Sequence, residues 1–228
     1  MNLQSPLKQG IKVQKWYAKN TELNSLKDLF LCISQGIGER PEVYGQGGHN
    51  GLDFVYEKRT SVYACHSGEG TYKEERDENG NLKGYGKYYT IIGEGFKTHY
   101  AHLDEGTPSR QVQRGELIGY GDSTGFSSGH HLHLTVKLTD NQGNVLNRDN
   151  GRDGAIDPTS YFVWFDDMKL TKLKDSKDIW LVRDGKRSLV YNVSAFQLIG
   201  GNIDQVDELT QDQFNLIPDS GIILAGIV

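Results

Sequence analysis

Three histidines crowd four positions in the stretch Thr124-Gly-Phe-Ser-Ser-Gly-His-His-Leu-His-Leu-Thr-Val136. In an extended chain successive side chains point to opposite faces, and residues two apart share one. His131, His133 and Thr135 then line one face, while His130, Leu132, Leu134 and Val136 line the other. His131 and His133 therefore come as a pair, able to meet at one ligand or one substrate. Upstream, "GGHNGLDF" sets His49 and Asp53 four apart behind two glycines, and "THYAHLDEG" supplies His99 and His102. Zinc in catalytic sites is commonly held by three protein ligands drawn from His, Asp, Glu or Cys, which leaves a fourth position for water. His49, Asp53 and one of the strand histidines meet that count.

A rival chemistry is written in the same stretch. "GFSSG", Gly125 to Gly129, satisfies the G-x-S-x-G pattern of a serine-hydrolase elbow, with Ser127 as nucleophile. That elbow needs a strand before it and a helix after it. Here "HHLHLTVKL" follows, which reads as a strand, so the segment is expected to be a glycine-rich turn that shapes a cleft.

The elements that must carry these residues are short. Runs such as "DLFLCIS", "GLDFVY", "SVYACHSG", "YYTIIGEG", "KTHYAHL", "GELIGYG" and "HLHLTVKL" are rich in β-branched and aromatic residues and are divided by Gly, Asn and Asp. They predict a mainly β, antiparallel domain. The charged segment "TYKEERDENGNLKGYGKY", with Asn79-Gly80 at its centre, is expected to be a solvated hairpin tip or loop, with a substrate-gripping lid as the functional alternative. After "DGAIDPTSYFVWFDDMK" the character changes: "DIWLVRDGKRSLVY" reads as a hairpin around Arg183 to Lys186. "TQDQFNLIP" opens with Thr210 and Gln213 at capping-box spacing and stops at Pro218, as a short helix would. The expected organisation is an N-terminal segment over 1–30, a central domain over 31–168 and a small hairpin-and-helix module over 172–228.

The 228 residues suffice for one domain of moderate size with a small appendage. A formal charge of −5 excludes an electrostatic grip on nucleic acid or anionic wall polymers as the main attraction. The opening "MNLQSPLKQGIKVQKWYAKN" holds no apolar run of signal-peptide length, and no stretch approaches a membrane span. Cys32 and Cys65 lie in apolar, strand-like runs and are read as buried thiols, with a disulfide as the alternative where their strands are neighbours.

The motifs together resemble a family. "HNGLDF", "SVYACHSGEG", "YAHL" and "QRGELIGYGDSTGFSSGHHLHLTV", in this order and spacing, with "GAIDPTSYF" behind them, resemble the lysostaphin-like (LytM-type) zinc endopeptidases that cut peptidoglycan peptides. The resemblance runs from about Leu31 to Phe162. It implies a groove across an antiparallel sheet holding Zn2+, with His49, Asp53 and His133 as ligands and His131 and His102 as catalytic histidines, His102 donating to the oxyanion. Tyr44, five residues before His49, resembles a tyrosine near that family's active site and is carried over as substrate-binding. His130 stands where the family usually has proline and His99 where an aliphatic residue is commoner; these and His66 are expected to be surface or packing histidines. The implied activity is zinc-dependent hydrolysis of stem-peptide or cross-bridge bonds by a monomeric phage lysin or bacterial wall hydrolase, acting at the cell wall. The alternatives are a non-catalytic zinc-containing scaffold and a wall-binding or virion structural protein, with the C-terminal module serving wall attachment.

Overall fold

A computed structural model describes residues 2–163 except 9, 16, 17 and 46, and, further on, residues 169–183, 186–190, 193, 203, 206–215 and 219–223. The chain divides into two compact units, Met1–Val163 and Trp164–Val228.

The first unit is built on a seven-stranded antiparallel sheet. Its strands run in the order Arg110–Val112, Gly68–Arg76, Leu82–Gly93, Phe96–Ala101, His131–Leu138, Leu52–Val55 and Ile33–Gln35. A three-stranded sheet of Leu103–Gly106, Leu117–Gly121 and Ser61–Tyr63 accompanies it. Alternation along His131–Leu138 sorts the large sheet into two faces. Leu132, Leu134 and Val136 are fully buried, and so are Phe54, Ile91, Tyr89 and Tyr100 from strands of the same sheet. Removing that much apolar surface from water is the main force that sets the register. His131, His133 and Thr135 are thereby turned to the opposite face.

The first thirty residues pack into this same unit. Leu3, Leu7, Val13, Leu23 and Leu29 are all fully buried, and Leu3–Gln4 pairs in parallel with Phe162–Val163. One expected strand is partly a helix: of "DLFLCIS", Asp28 to Phe30 belong to the helix Leu26–Phe30, and the strand begins only at Ile33. The Ser25 hydroxyl accepts the Asp28 N–H at 3.2 Å and caps the first turn, with Ser25 and Asp28 at capping-box spacing ahead of the apolar run. Cys32 sits at the helix end, its thiol donating to the Asp28 carbonyl. Buried Cys65 has its thiol pushed up to about 12 by burial. The charged segment is a hairpin, Gly68–Arg76 paired with Leu82–Gly93, whose tip is held by Asp77 accepting from the Asn79 and Asn81 backbone.

In the second unit the hairpin Ile179–Arg183 with Lys186–Val190 forms the middle of a five-stranded mixed sheet. Lys169–Leu173 pairs antiparallel with the first hairpin strand, and Val206–Leu209 and Asp219–Ile223 add on in parallel at the two edges. Parallel neighbours require chain crossovers, which a short hairpin-and-helix reading does not contain. The expected helix spans Gln211–Asn215, with Phe214 edge-on to Trp180 and Arg187 stacked over the Phe214 ring at 4.0 Å. Residues 184–185 at the hairpin tip and Pro218 lie outside the described residues. Among the described residues no helix is long and apolar enough to cross a membrane.

Candidate metal centre and its cleft

Strand pairing brings the first candidate ligands together. His131–Leu138 runs antiparallel to Leu52–Val55 with His133 directly opposite Asp53. His49 enters from the loop before that strand. The three contribute atoms that converge: His49 Nε2 lies 2.9 Å from His133 Nδ1, His133 Nδ1 lies 2.9 Å from Asp53 Oδ1, and His49 Nε2 lies 3.2 Å from Asp53 Oδ1. Among the described residues this is the one group of His, Cys, Asp and Glu side chains that could hold a metal ion. All three residues are buried. Gly51, in the middle of "HNGLD", is required by the packing: a Cβ there would lie 2.7 Å from Cε1 and Nε2 of the His133 ring.

The second nitrogen of each ring is also occupied. His49 Nδ1 is 3.0 Å from the Gly36 carbonyl, which can only accept, so His49 carries its proton on Nδ1 and presents a bare Nε2. Burial works against the Asp53 carboxylate, yet its contacts with the His133 and His49 rings outweigh it and hold the group well below the usual carboxylate range. Burial likewise pushes the His133 imidazole down, against the pull of Asp53. Metal ligation demands bare ring nitrogens beside an ionised carboxylate.

Two further histidines close on this cluster. His131 directs Nε2 toward Asp53 Oδ2 at 3.7 Å, while its Nδ1 donates to the Gly129 carbonyl at 2.8 Å. His102 is 5% exposed and its ring centroid lies 4.7 Å from that of His131 and 5.9 Å from that of His133. Its backbone is held at φ +63, in the left-handed region that a non-glycine residue seldom occupies. Bonds from both sides hold it there: its N–H donates to the Tyr85 carbonyl, and its carbonyl accepts the Asp122 N–H. His102 Nδ1 donates to the Thr124 carbonyl at 2.6 Å, which leaves Nε2 free. Burial first, and then the neighbouring His131 and His133 rings, push the His102 imidazole down to about 3.

The cluster lies at the bottom of a cleft of about 1080 Å³. Tyr44 and Val43, 39% and 42% exposed, stand on one side and Phe126, 64% exposed, on another. The Tyr44 ring is 5.1 Å from that of His49. The remaining histidines are placed elsewhere. His66 is buried and bonds Thr98, and His99 is half-buried and bonds Thr90. Because the strand starts only at His131, the expected alternation does not extend to His130. That residue lines the cleft and bonds Asp122 at 3.0 Å. Ser127 is followed by strand His131–Leu138, not a helix, and its hydroxyl donates to the Gly129 carbonyl at 2.9 Å.

The sequence reading missed two groups beside His133. Thr135 Oγ1 lies 2.9 Å from His133 Nε2, and the Tyr85 hydroxyl lies 3.1 Å from Thr135 Oγ1. Thr135 was in view as the next residue on the histidine face. For Tyr85 the signal is the flanking pair Gly84 and Gly86, both at positive φ; a Cβ on Gly86 would strike the Thr124 backbone at 2.5 Å.

Residues 47–147 match the profile of Peptidase family M23. The DD-carboxypeptidase/endopeptidase Mpg of Neisseria meningitidis is 35% identical over 114 residues, which is 48% of this chain and 25% of the relative; the chain thus spans about a quarter of that protein's length. Among solved structures, the catalytic domain of the antimicrobial peptidase lysostaphin from Staphylococcus simulans aligns at 27% identity over 56% of this chain and 89% of that one, with a TM-score of 0.43. A zinc-containing peptidase from Vibrio cholerae aligns at 26% identity over 56% of this chain and 35% of that one, with a TM-score of 0.42. The matched stretch contains His49, Asp53, His102, His131 and His133, and over these residues, under half of its length, the chain is similar to Peptidase family M23.

Proposed function

We propose that the protein is a zinc-dependent endopeptidase that hydrolyses peptide bonds of bacterial peptidoglycan, in the stem peptide or the cross-bridge, at the cell wall. The observation that carries this reading is the convergence of two imidazole nitrogens and one carboxylate oxygen beneath an open cleft, with two more histidines beside them. The donor set fits zinc. Tetrahedral ligation at about 2.0–2.1 Å requires donors about 3.3 Å apart, and the separations here are 2.9, 2.9 and 3.2 Å. His49 Nε2, Asp53 Oδ1 and His133 Nδ1 would hold the ion. Zinc, when bound in such a site, polarises the scissile carbonyl and brings the pKa of water down to about 7.

The chain's own residues supply the rest. His131 spends its Nδ1 proton on Gly129, so its Nε2 is a lone-pair nitrogen aimed at the cluster. It takes a proton from the attacking water and returns it to the leaving amine. The resemblance made His102 a hydrogen-bond donor to the oxyanion. Its one proton in the neutral ring is already given to Thr124, so it reaches that role only after Nε2 has gained a second proton. The step balances on one proton: water gives its hydroxyl to the carbonyl carbon and, through His131, a proton to the leaving nitrogen, so a carboxylic acid and an amine form. Tyr44, Val43 and Phe126 offer apolar contact to an extended peptide in the cleft. The C-terminal unit, with its own sheet, is proposed to attach the enzyme to the wall.

Digestion of purified peptidoglycan from several bacteria, with mass analysis of the new termini, tests the proposal. New amino termini that appear with zinc and vanish with chelator and in His131→Ala support it. Zinc-loaded wild type that releases none from any wall would refute it in favour of a scaffold.

A further inference from the structure

We propose that Thr135 is a positioning residue for the His133 ring, held in turn by Tyr85 and Asn50; this rests on the metal reading above. The two nitrogens of His133 have different surroundings. Nδ1 faces Asp53 Oδ1 and His49 Nε2, each at 2.9 Å, so this is the nitrogen that must be bare to ligate. Nε2 must then carry the proton, and it faces Thr135 Oγ1 at 2.9 Å. A hydroxyl oxygen there accepts the Nε2–H and fixes the ring in the ligating tautomer.

The hydroxyl does not stand alone. Thr135 Oγ1 is 3.1 Å from the Tyr85 hydroxyl, which accepts from Asn50 Nδ2 at 3.0 Å. Asn50 directly follows His49, so the bonds close a circuit from one proposed ligand to the other through Asn50, Tyr85, Thr135 and His133. Tyr85 also lays its ring 5.4 Å from that of His133, and its backbone carbonyl holds His102. Thr135 is fully buried and His133 is 5% exposed, so water cannot readily replace a lost partner. Valine at 135 would keep the volume but offer no acceptor, leaving a buried N–H unsatisfied in the ligating tautomer and favouring the proton on Nδ1.

The test is zinc affinity, measured by competition with a chromophoric chelator at pH 7.5 on the full chain. Thr135→Val is expected to bind zinc about 10–100-fold more weakly than wild type, while Thr135→Ser, which restores the hydroxyl, stays within about threefold. Tyr85→Phe, which loosens Thr135 without touching His133 Nε2, should lose about three- to tenfold. A folded Thr135→Val that binds zinc as tightly as wild type would overturn the positioning role and leave the metal reading intact. Wild type that takes up no zinc would overturn both. If circular dichroism shows Thr135→Val unfolded, Tyr85→Phe decides: weaker binding upholds the role, and unchanged binding overturns it.

Discussion

Acid should unfold this protein in part through a histidine that takes no part in the site. His66 is fully buried, with Nδ1 donating to the Ser67 carbonyl and Nε2 accepting from the Thr98 hydroxyl, both at 3.0 Å. Its ring packs against Phe96 at 5.7 Å. Burial pushes its pKa from 6.5 to about 4, with the Ser67 bond and Glu94 pulling upward and Arg114 downward. A depressed histidine means that the unfolded chain binds a proton that the folded one refuses. Stability is then complete above pH 6.5 and is lost as pH falls toward the folded value. The full shift corresponds to about 3 kcal/mol, and about 2 kcal/mol is already gone at pH 5. Urea unfolding of metal-stripped wild type and His66→Gln at pH 7.5 and pH 5.0 separates this from ligand protonation. The variant is expected to be weaker at pH 7.5, because glutamine packs less well, yet to lose about 2 kcal/mol less than wild type between the two pH values. Parallel losses in the two proteins would refute the reasoning.

Replacing His49, Asp53 or His133 by Ala should abolish stoichiometric zinc, read by elemental analysis after gel filtration, because each removes one of three ligands; full zinc in His133→Ala would sink the assignment. His131→Ala and His102→Ala should keep zinc content near wild type while cleavage of a peptidoglycan peptide falls by about two to four orders of magnitude. Variants as active as wild type would point to another catalytic group. Removing the residues after 168 should spare zinc binding and cleavage of small soluble peptides but weaken turbidity loss of whole walls, since attachment raises local concentration without altering the chemistry; equal action on whole walls would exclude a targeting role.

Much of the site was legible in the sequence because its logic is local. A period of two puts His131, His133 and Thr135 on one face, and a strand buried on the other face through Leu132, Leu134 and Val136 cannot slip by one residue without exposing all three. The spacing of His49 and Asp53 in "HNGLD", with a glycine where the His133 ring needs room, is likewise readable along the chain. Other features depended on partners far away in sequence. In the C-terminal unit, the parallel pairings of Val206–Leu209 and Asp219–Ile223 are non-local, and a hairpin motif does not announce its outer strands. Only the fold sets His133 opposite Asp53 and holds His102 in a left-handed backbone between Tyr85 and Asp122. It alone also supplies the carbonyls of Gly36, Gly129 and Thr124 that choose which nitrogen of each ring is bare. A sequence names residue types and faces; proton positions follow from hydrogen-bond partners, and those partners lie up to 22 residues away for His102 and 50 for the Tyr85 contact to Thr135.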